Sequence, residues 1–306
     1  MASRDSLKKY RTRGTSVILA FASIYIIWGS TYLAIRIAIE TMPPFLMAGT
    51  RFVIAGALLY GWAMARGEPR PSRIHLRPII IIGGLLLLGG NGGVTWAEQT
   101  VPSGTAALLV ATVPIWMVLL DWLRPGGRRP ANRVFLGLGL GFAGIVLLIG
   151  PGQISGSNQT SLIGGLVIVL AALSWATGSI YSRSARLPES PLVSTALEML
   201  AGGALLLLVG SLAGEWGQLD SAQFSLRSIL ALVYLIFFGS IIAFTAYIWL
   251  LKVSTPARVS TYAYVNPVVA VFLGWAIVGE ALTAQTLLAA AIIISAVALI
   301  TVYRSP

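Results

Sequence analysis

Aromatic and polar side chains inside long apolar stretches are the residues of this sequence that could bind a small molecule. Trp28 and Trp175 each lie near the middle of such a stretch. Because tryptophan collects where membrane helices meet water, two indoles at mid-stretch indicate an apolar chamber on which an aromatic or aliphatic group could stack. Large residues that merely fill a core are the alternative. Polar side chains on the same two stretches could add hydrogen bonds: Ser30, Tyr32, Thr177, Ser179 and Tyr181.

Two prolines lie inside other apolar stretches. Pro114 and Pro267 each remove the backbone donor that would satisfy the carbonyl four residues earlier. In hydrocarbon such a carbonyl needs a partner, which an inward-facing polar cavity can supply. We therefore interpret both as hinge or kink positions, although a kink that only shapes helix packing is equally compatible. Thr112 and Asn266 stand beside them and could bind polar groups of a solute, and Tyr264 belongs to the same candidate site.

An amide and a carboxylate complete the candidate site. Asn91 lies in a run with six glycines between positions 83 and 93, a spacing typical of close helix packing. As the lone amide of that stretch, Asn91 is predicted to face the interior of a helix bundle. Glu98, at the outer end of the same stretch, is the best carboxylate for a substrate ammonium or a proton.

Two further charges lie within apolar stretches, where each costs ~2.5 to 3.5 kcal/mol on insertion scales. Arg51 and Glu198 occupy equivalent positions in the repeat described below, with opposite sign. Their expected depths differ, so we do not pair them with each other. We expect Arg51 to reach Glu40 or lipid headgroups by snorkelling, and Glu198 to meet Arg183 or Arg186.

Composition places the chain in a membrane. Of its 306 residues 57% are hydrophobic and 10% charged, and the mean hydropathy is +0.85, which leaves too little polar surface for a soluble globule. The net charge of +11 lies in short loops, so it reports orientation and not nucleic-acid binding. With no cysteine and a single histidine, His75, the sequence predicts no disulfide, thiolate site, metal or cofactor. The ten acidic residues are scattered singly, which argues against a membrane enzyme.

Ten apolar runs are long enough to span a bilayer. Most lysines and arginines fall in the tail before the first run and in alternate loops after it, which predicts that both termini are cytoplasmic. The predicted spans are 15–38, 44–65, 77–97, 102–123, 133–150, 162–184, 191–212, 228–251, 256–278 and 283–303.

The chain repeats itself after about 150 residues. At one offset Trp249 matches Trp96 and Pro267 matches Pro114, and at a similar offset Trp28 matches Trp175. We therefore predict an all-α membrane protein with two units, 1–152 and 153–306. Since five spans is an odd number, the second unit should enter the membrane from the opposite face. Inverted repeats of this kind recur in secondary transporters, whose substrate site lies between the repeats.

Five segments of the sequence carry a resemblance to known proteins: YIIWGSTYLAIRIA (25–38), MPPFLMAGTRF (42–52), GLLLLGGNGGVTWAEQTVPSGTAALLVATVP (84–114), LSWATGSIY (173–181) and STYAYVNPVVAVFLGWAIVGE (260–280). Together they resemble the EamA-type transporters of the drug/metabolite transporter superfamily, in particular bacterial inner-membrane exporters. The resemblance covers both repeats and implies ten helices, a central cavity lined mainly by spans 1, 3, 4, 6, 8 and 9, and export of amino acids or related metabolites. It also implies a bacterial inner membrane.

The sequence thus predicts a secondary transporter that exports small metabolites by alternating access, with aromatic or aliphatic amino acids as leading substrates. The alternative keeps the fold and changes the substrate to drugs, hydrophobic cations or sugars. Glu98 or Glu198 projecting into the chamber would favour cations. The expected partners are a small-molecule substrate and the lipid bilayer, with a homodimer left open.

Overall fold

The computed structural model describes residues 4–101, 106, 109–127, 129–149, 162–220, 223–273 and 283–301. All regular secondary structure in these segments is helical. Several predictions fall partly or wholly outside these segments: the boundary between residues 152 and 153, most of the start of span 4, and the ends of spans 5, 9 and 10. The helices are α1 Arg4–Ala38, α2 Pro44–Ala65, α3 Arg73–Ala97, α4 Val113–Leu123, α5 Asn132–Ile149, α6 Leu162–Ser182, α7 Pro191–Leu212, α8 Leu226–Val253, α9 Tyr262–Leu273 and α10 Ala284–Thr301.

Six helices have the length and hydropathy to cross a membrane: α1 from Gly14, α2, α3, α6 from Ile163, α7 and α8. Shorter apolar helices lie in α4, α5 and α10. Apart from the short 3-10 helix Glu215–Gln218, each described helix falls on one of the ten predicted apolar runs, so the prediction of an all-helical membrane protein is confirmed.

Proline and hydroxyl side chains set where several helices begin. Pro44 and Pro191 stand in the first turn of α2 and α7, where the missing amide hydrogen costs no helical hydrogen bond. Ser225 caps α8, since its hydroxyl accepts from the amide of Ser228 at 3.0 Å. Pro44 and Pro191 therefore mark the starts of two helices.

α3 and α8 each contain a segment of π-helix, Gly84–Gly92 and Leu235–Phe244. The two segments lie at corresponding positions of the repeat. The wider turn is rare and is frequent at functional sites. Neither segment was predicted from the apolar pattern, which both share with ordinary helices.

Two pairs of equivalent helices, α2 with α7 and α5 with α10, pack against each other in antiparallel fashion. In the pair α2 and α7, a Cβ placed on Gly49 would meet Leu207, whereas one on Gly56 would meet Ala196 and Leu200. In the pair α5 and α10, Gly137 faces Ile300 and Gly144 faces Ile293 in the same way. Residue numbers that rise along one helix therefore fall along its partner.

The contacts of α1 and of its equivalent α6 correspond under exchange of the two halves. α1 packs against α8 and α9, and α6 packs against α3 and α4. Each of these two helices therefore packs on the opposite half, and the two units surround a common centre. This centre holds the cavity described next.

The two prolines occupy different local settings. Pro114 stands in the first turn of α4, after a turn at residues 111–112, so span 4 is interrupted just before it. Pro267 lies inside α9, where it has no amide hydrogen to donate to the carbonyl four residues earlier. Their role as hinges stays a prediction.

Candidate functional site

A cavity of about 80 Å³ lies at the centre of the bundle, and the empty space grows to about 690 Å³ when its open mouth is included. Its described walls come from α1, α2, α3, α6, α8 and α9, and from residues at and just before the start of α4. The lining residues are Trp28, Thr31, Tyr32, Ile35, Arg51, Phe52, Leu87, Gly90, Asn91, Val94, Val110, Val113, Ala171, Ala172, Trp175, Gly239, Phe244, Tyr262 and Asn266.

Helical periodicity decides which side chains reach this cavity. On α1 one face carries Trp28, Thr31, Tyr32 and Ile35, which are spaced three and four residues apart as one side of a helix requires. On α9 the same spacing of four places Tyr262 and Asn266 on the cavity wall, and α6 contributes Ala171, Ala172 and Trp175.

The two mid-helix indoles meet at the cavity. The rings of Trp28 and Trp175 contact edge to face, with centroids 5.6 Å apart and an interplanar angle of 80°. Tyr262 packs against Trp28 at 4.9 Å, and Tyr247 lies 5.0 Å from Trp28 and 5.4 Å from Trp175. Each indole N–H is satisfied, by the Gly239 carbonyl for Trp28 and by the Tyr247 hydroxyl for Trp175. The aromatic wall is therefore rigid and offers ring surface to a solute.

Three predicted hydroxyl groups lie outside the described cavity lining. Ser30 is two residues, about 200° of helical rotation, from Trp28, and its hydroxyl hydrogen-bonds Tyr234 at 2.6 Å. Ser179 hydrogen-bonds the Tyr247 hydroxyl at 2.5 Å, so it holds a ring that packs against both indoles and does not itself line the cavity. Tyr181 is half-buried and packs against the hydrophobic core.

Two further predicted site residues also lie elsewhere. The Thr112 hydroxyl donates to the carbonyl of Leu109 at 2.6 Å. Tyr264 is fully buried against α5, where its hydroxyl donates to the carbonyl of Leu138 at 3.2 Å. Because Tyr264 is two residues from Tyr262, it faces the opposite side of α9. The structure thus places Tyr262, and not Tyr264, on the cavity wall.

Both predicted amides do line the cavity. The side-chain oxygen of Asn91 is buried and lacks a hydrogen-bond partner. Asn266 is 1% exposed, and in the amide orientation that satisfies its neighbours it donates to the carbonyls of Tyr262 and Tyr25 at 3.0 and 3.2 Å. Asn266 therefore ties α9 to α1, whereas Asn91 keeps an acceptor free.

Glu98 lies near the cavity but outside its described lining. Its side chain is 2% exposed, and neither carboxyl oxygen has a hydrogen-bond partner. Arg36 approaches from α1, yet its guanidinium donates to the backbone carbonyl of Glu98, at 2.7 Å. The carboxyl group is thus buried, and no described donor forms a hydrogen bond with it.

Arg51 and Glu198, the two charged side chains inside the predicted spans, do not have the partners that the sequence suggested. Arg51 is 3% exposed, lines the cavity and donates from Nε to the Ser240 hydroxyl at 2.7 Å. Glu40 is exposed, and the salt bridge found among the described residues joins Asp121 and Arg124, so the expected partner of Arg51 is wrong. The helix rotation turns Arg51 inward, away from headgroups.

Glu198 also lacks its expected partners. It is fully buried and accepts from the Ser194 hydroxyl at 3.0 Å. Arg183 instead donates to the carbonyls of Leu251 and Ser254 at 2.6 and 2.8 Å. Neither Glu98 nor Glu198 contributes to the described cavity wall.

Comparison with known proteins decides the family. The profile of the EamA-like transporter family matches residues 15–150 and 162–302, nearly the whole chain in two copies. The chain belongs to the EamA-like transporter family. YedA, an uncharacterized inner membrane transporter of Escherichia coli (strain K12), is 44% identical over 92% of this chain and 89% of its own length.

More distant relatives span a similar length. YoaV, an uncharacterized transporter of Bacillus subtilis (strain 168), is 28% identical over 90% of this chain and 94% of its own. A solved crystal structure at 26% identity superposes with a TM-score of 0.75 and covers 94% of this chain and 98% of that chain. This chain is therefore a multi-pass membrane transporter and not an enzyme.

Fourteen of the nineteen lining residues of this EamA-like transporter escaped the sequence interpretation, among them Thr31, Arg51, Phe52 and Tyr262. Spacing could have found two of them, since Thr31 is three residues from Trp28 and Tyr262 four from Asn266. Arg51 was noticed as a charge within a span but was assigned to the bundle exterior. No sequence signal fixed the rotation of α2 that turns Arg51 and Phe52 inward.

Proposed function

We propose that this EamA-like transporter exports small amphipathic metabolites by alternating access, with aromatic or aliphatic amino acids as leading substrates. One observation carries the proposal. Both repeats contribute walls to a central cavity that pairs an aromatic surface around Trp28 and Trp175 with polar groups such as Asn91 and Arg51. An apolar surface and a few placed polar groups are what an amino acid with a large side chain requires.

The halves are proposed to be inverted five-helix repeats. The antiparallel packing of α2 on α7 and of α5 on α10 supports this, because a two-fold axis in the membrane plane reverses the direction of equivalent helices. The cavity then lies between the halves, as in other inverted-repeat transporters. Spans 3, 4, 8 and 9 would close alternately at its two ends. Together with the distribution of basic residues, this orientation gives cytoplasmic termini in a bacterial inner membrane.

Hydrophobic cations and sugars remain the rival substrates. The cation hypothesis depended on Glu98 or Glu198 projecting into the chamber, and neither belongs to the described lining. The charged side chain in the described cavity wall is Arg51, which repels a cation. Amino acids therefore fit the charge of the wall better than cations do.

Flux through the purified protein in proteoliposomes tests the proposal. Labelled phenylalanine, leucine, glucose and tetraphenylphosphonium are loaded separately, and efflux is followed with and without protein. We expect phenylalanine or leucine to cross. Trp28→Ala should reduce this flux, and Trp62→Ala, which removes an indole that is 50% exposed on α2, should leave it intact. Flux of glucose or the cation without any amino acid would remove the substrate proposal.

A further inference from the structure

Arg51 lies inside the membrane with unused hydrogen-bond donors. Its Nε donates to the Ser240 hydroxyl at 2.7 Å, and its Cζ lies 4.6 Å from the centroid of the Phe52 ring. Among the described residues, no acceptor hydrogen-bonds either terminal amino group and no carboxylate forms an ion pair with the guanidinium. Both terminal groups are thus available at the cavity wall.

A buried cation of this kind is costly unless something pairs with it. A guanidinium whose Nε is already held presents its two Nη groups in a fixed plane. That fork matches the two oxygens of a carboxylate and can bind them with two parallel hydrogen bonds. A lysine at the same place would offer a point charge and no fork.

Neighbouring residues keep space for the guanidinium. Gly239 precedes Ser240 in the π-helical segment of α8, and a Cβ built on Gly239 would lie 2.8 Å from Nη2 of Arg51 and 3.1 Å from Cγ2 of Thr31. Glycine at this position therefore lets the arginine lie against α8. The next residue supplies the hydroxyl that orients it.

We propose that Arg51, positioned by Ser240, binds the carboxylate of the transported solute. The inference rests on the proposed function and specifies the substrate class of the same cavity. The buried and unpartnered side-chain oxygen of Asn91 on the same wall is an acceptor for an ammonium group. Together with the aromatic wall these groups select an α-amino acid with a large side chain over an amine that lacks the carboxylate.

Ligands that differ by one charged group test the carboxylate role. The purified full-length protein is heated with phenylalanine, with 3-phenylpropionate, which lacks the ammonium, or with phenethylamine, which lacks the carboxylate. A ligand that binds the folded state raises the midpoint of thermal unfolding. Titrating each ligand gives an apparent affinity for the wild type and for the variants Arg51→Met, Arg51→Lys and Ser240→Ala.

We expect phenylalanine to bind at least tenfold more tightly than phenethylamine. Arg51→Met should weaken the binding of phenylalanine and of 3-phenylpropionate at least tenfold. It should leave the binding of phenethylamine unchanged or strengthen it. Arg51→Lys keeps the charge and replaces the methionine variant if that variant does not fold. It should weaken the binding of both carboxylate ligands at least threefold. Ser240→Ala should weaken their binding by a smaller factor. Arg66→Met is the matched control, since Arg66 is an exposed arginine of the region just after α2.

Each outcome separates this inference from the proposed function. Equal binding of phenylalanine by wild type, Arg51→Lys and Ser240→Ala would overturn the carboxylate site while leaving amino-acid export standing. Binding of 3-phenylpropionate that depends on Arg51, with no binding of phenylalanine or any other amino acid, would keep the site and remove the proposed substrate. A wild-type preference for phenethylamine would overturn the inference.

Discussion

Trp28 and Trp175, which occupy equivalent positions in the two repeats, meet edge to face with ring centroids 5.6 Å apart. The contact lies where the two halves of the chain share a wall, and Trp28 is 8% exposed. Its N–H is bound by the Gly239 carbonyl. The pair therefore supports the cavity as well as lining it.

Replacement of Trp28 by alanine should lower both stability and transport. Removing a buried indole costs about 3 to 5 kcal/mol, so we expect a clear fall in the midpoint of thermal unfolding of the purified protein. Trp28→Phe keeps a ring but loses the hydrogen bond to Gly239, and its effect should be smaller. Trp62→Ala serves as the control. Equal midpoints for the alanine variants at 28 and 62 would contradict the supporting role.

The contact between α2 and α7 can be tested at one glycine. A Cβ on Gly56 would lie 2.8 Å from the Ala196 carbonyl oxygen and 3.0 Å from the Leu200 amide nitrogen. Because backbone atoms cannot yield easily, Gly56→Ala should destabilise the protein by about 1 to 3 kcal/mol. Gly61→Ala on the same helix meets nothing within 4 Å and should be neutral or slightly stabilising. Chemical denaturation of both variants in one detergent measures the difference, and matching curves would exclude the close contact.

The inverted orientation predicts opposite labelling of two loops. The chain contains no cysteine, so single-cysteine variants have a clean background. We expect a membrane-impermeant maleimide added to intact cells to label Gly217→Cys, after α7, and to leave Glu68→Cys, after α2, unlabelled until the membrane is permeabilised. Labelling of both from the same side would show that the repeats run in parallel.

Glu98 and Glu215 should respond in opposite ways to neutralisation. An ionised Glu98 would be buried with no hydrogen bond to offset its desolvation, so Glu98→Gln should keep or raise the thermal midpoint. Glu215 accepts from the amides of Phe45 and Leu46 at 3.1 and 2.8 Å, at the positive end of α2. Glu215→Gln should therefore cost about 1 to 2 kcal/mol. A fall in midpoint for Glu98→Gln as large as that for Glu215→Gln would refute this distinction.

The apolar pattern was sufficient to predict the helices, because ten long runs separated by prolines and basic residues have few other solutions in a membrane. The rotation of each helix was harder to predict. Trp28, Tyr32, Asn91, Trp175 and Asn266 line the cavity, whereas Ser30 and Tyr264, each two residues from a lining aromatic, face the other way. That the five lining residues bind a substrate stays a prediction.

Charge was interpreted least well. Arg51 was expected to reach Glu40 or lipid headgroups and Glu198 to meet Arg183 or Arg186, but Arg51 lines the cavity and Glu198 is enclosed beside Ser194. The repeat conserves helix positions without conserving which side chain reaches the centre. The π-helical segments also had no signature in the apolar pattern.

The glycine contacts between α2 and α7 have a mechanical consequence. Where backbones touch, as at Gly56, two helices can separate only by losing many contacts at once. We therefore expect α2 and α7 to move as one rigid body. Arg51 lies on α2 and so belongs to this rigid pair, whereas Ser240 belongs to α8, one of the helices expected to move during transport. Each transport cycle would then lengthen or restore the hydrogen bond between Arg51 and Ser240. The position of the carboxylate of a bound solute would change with it.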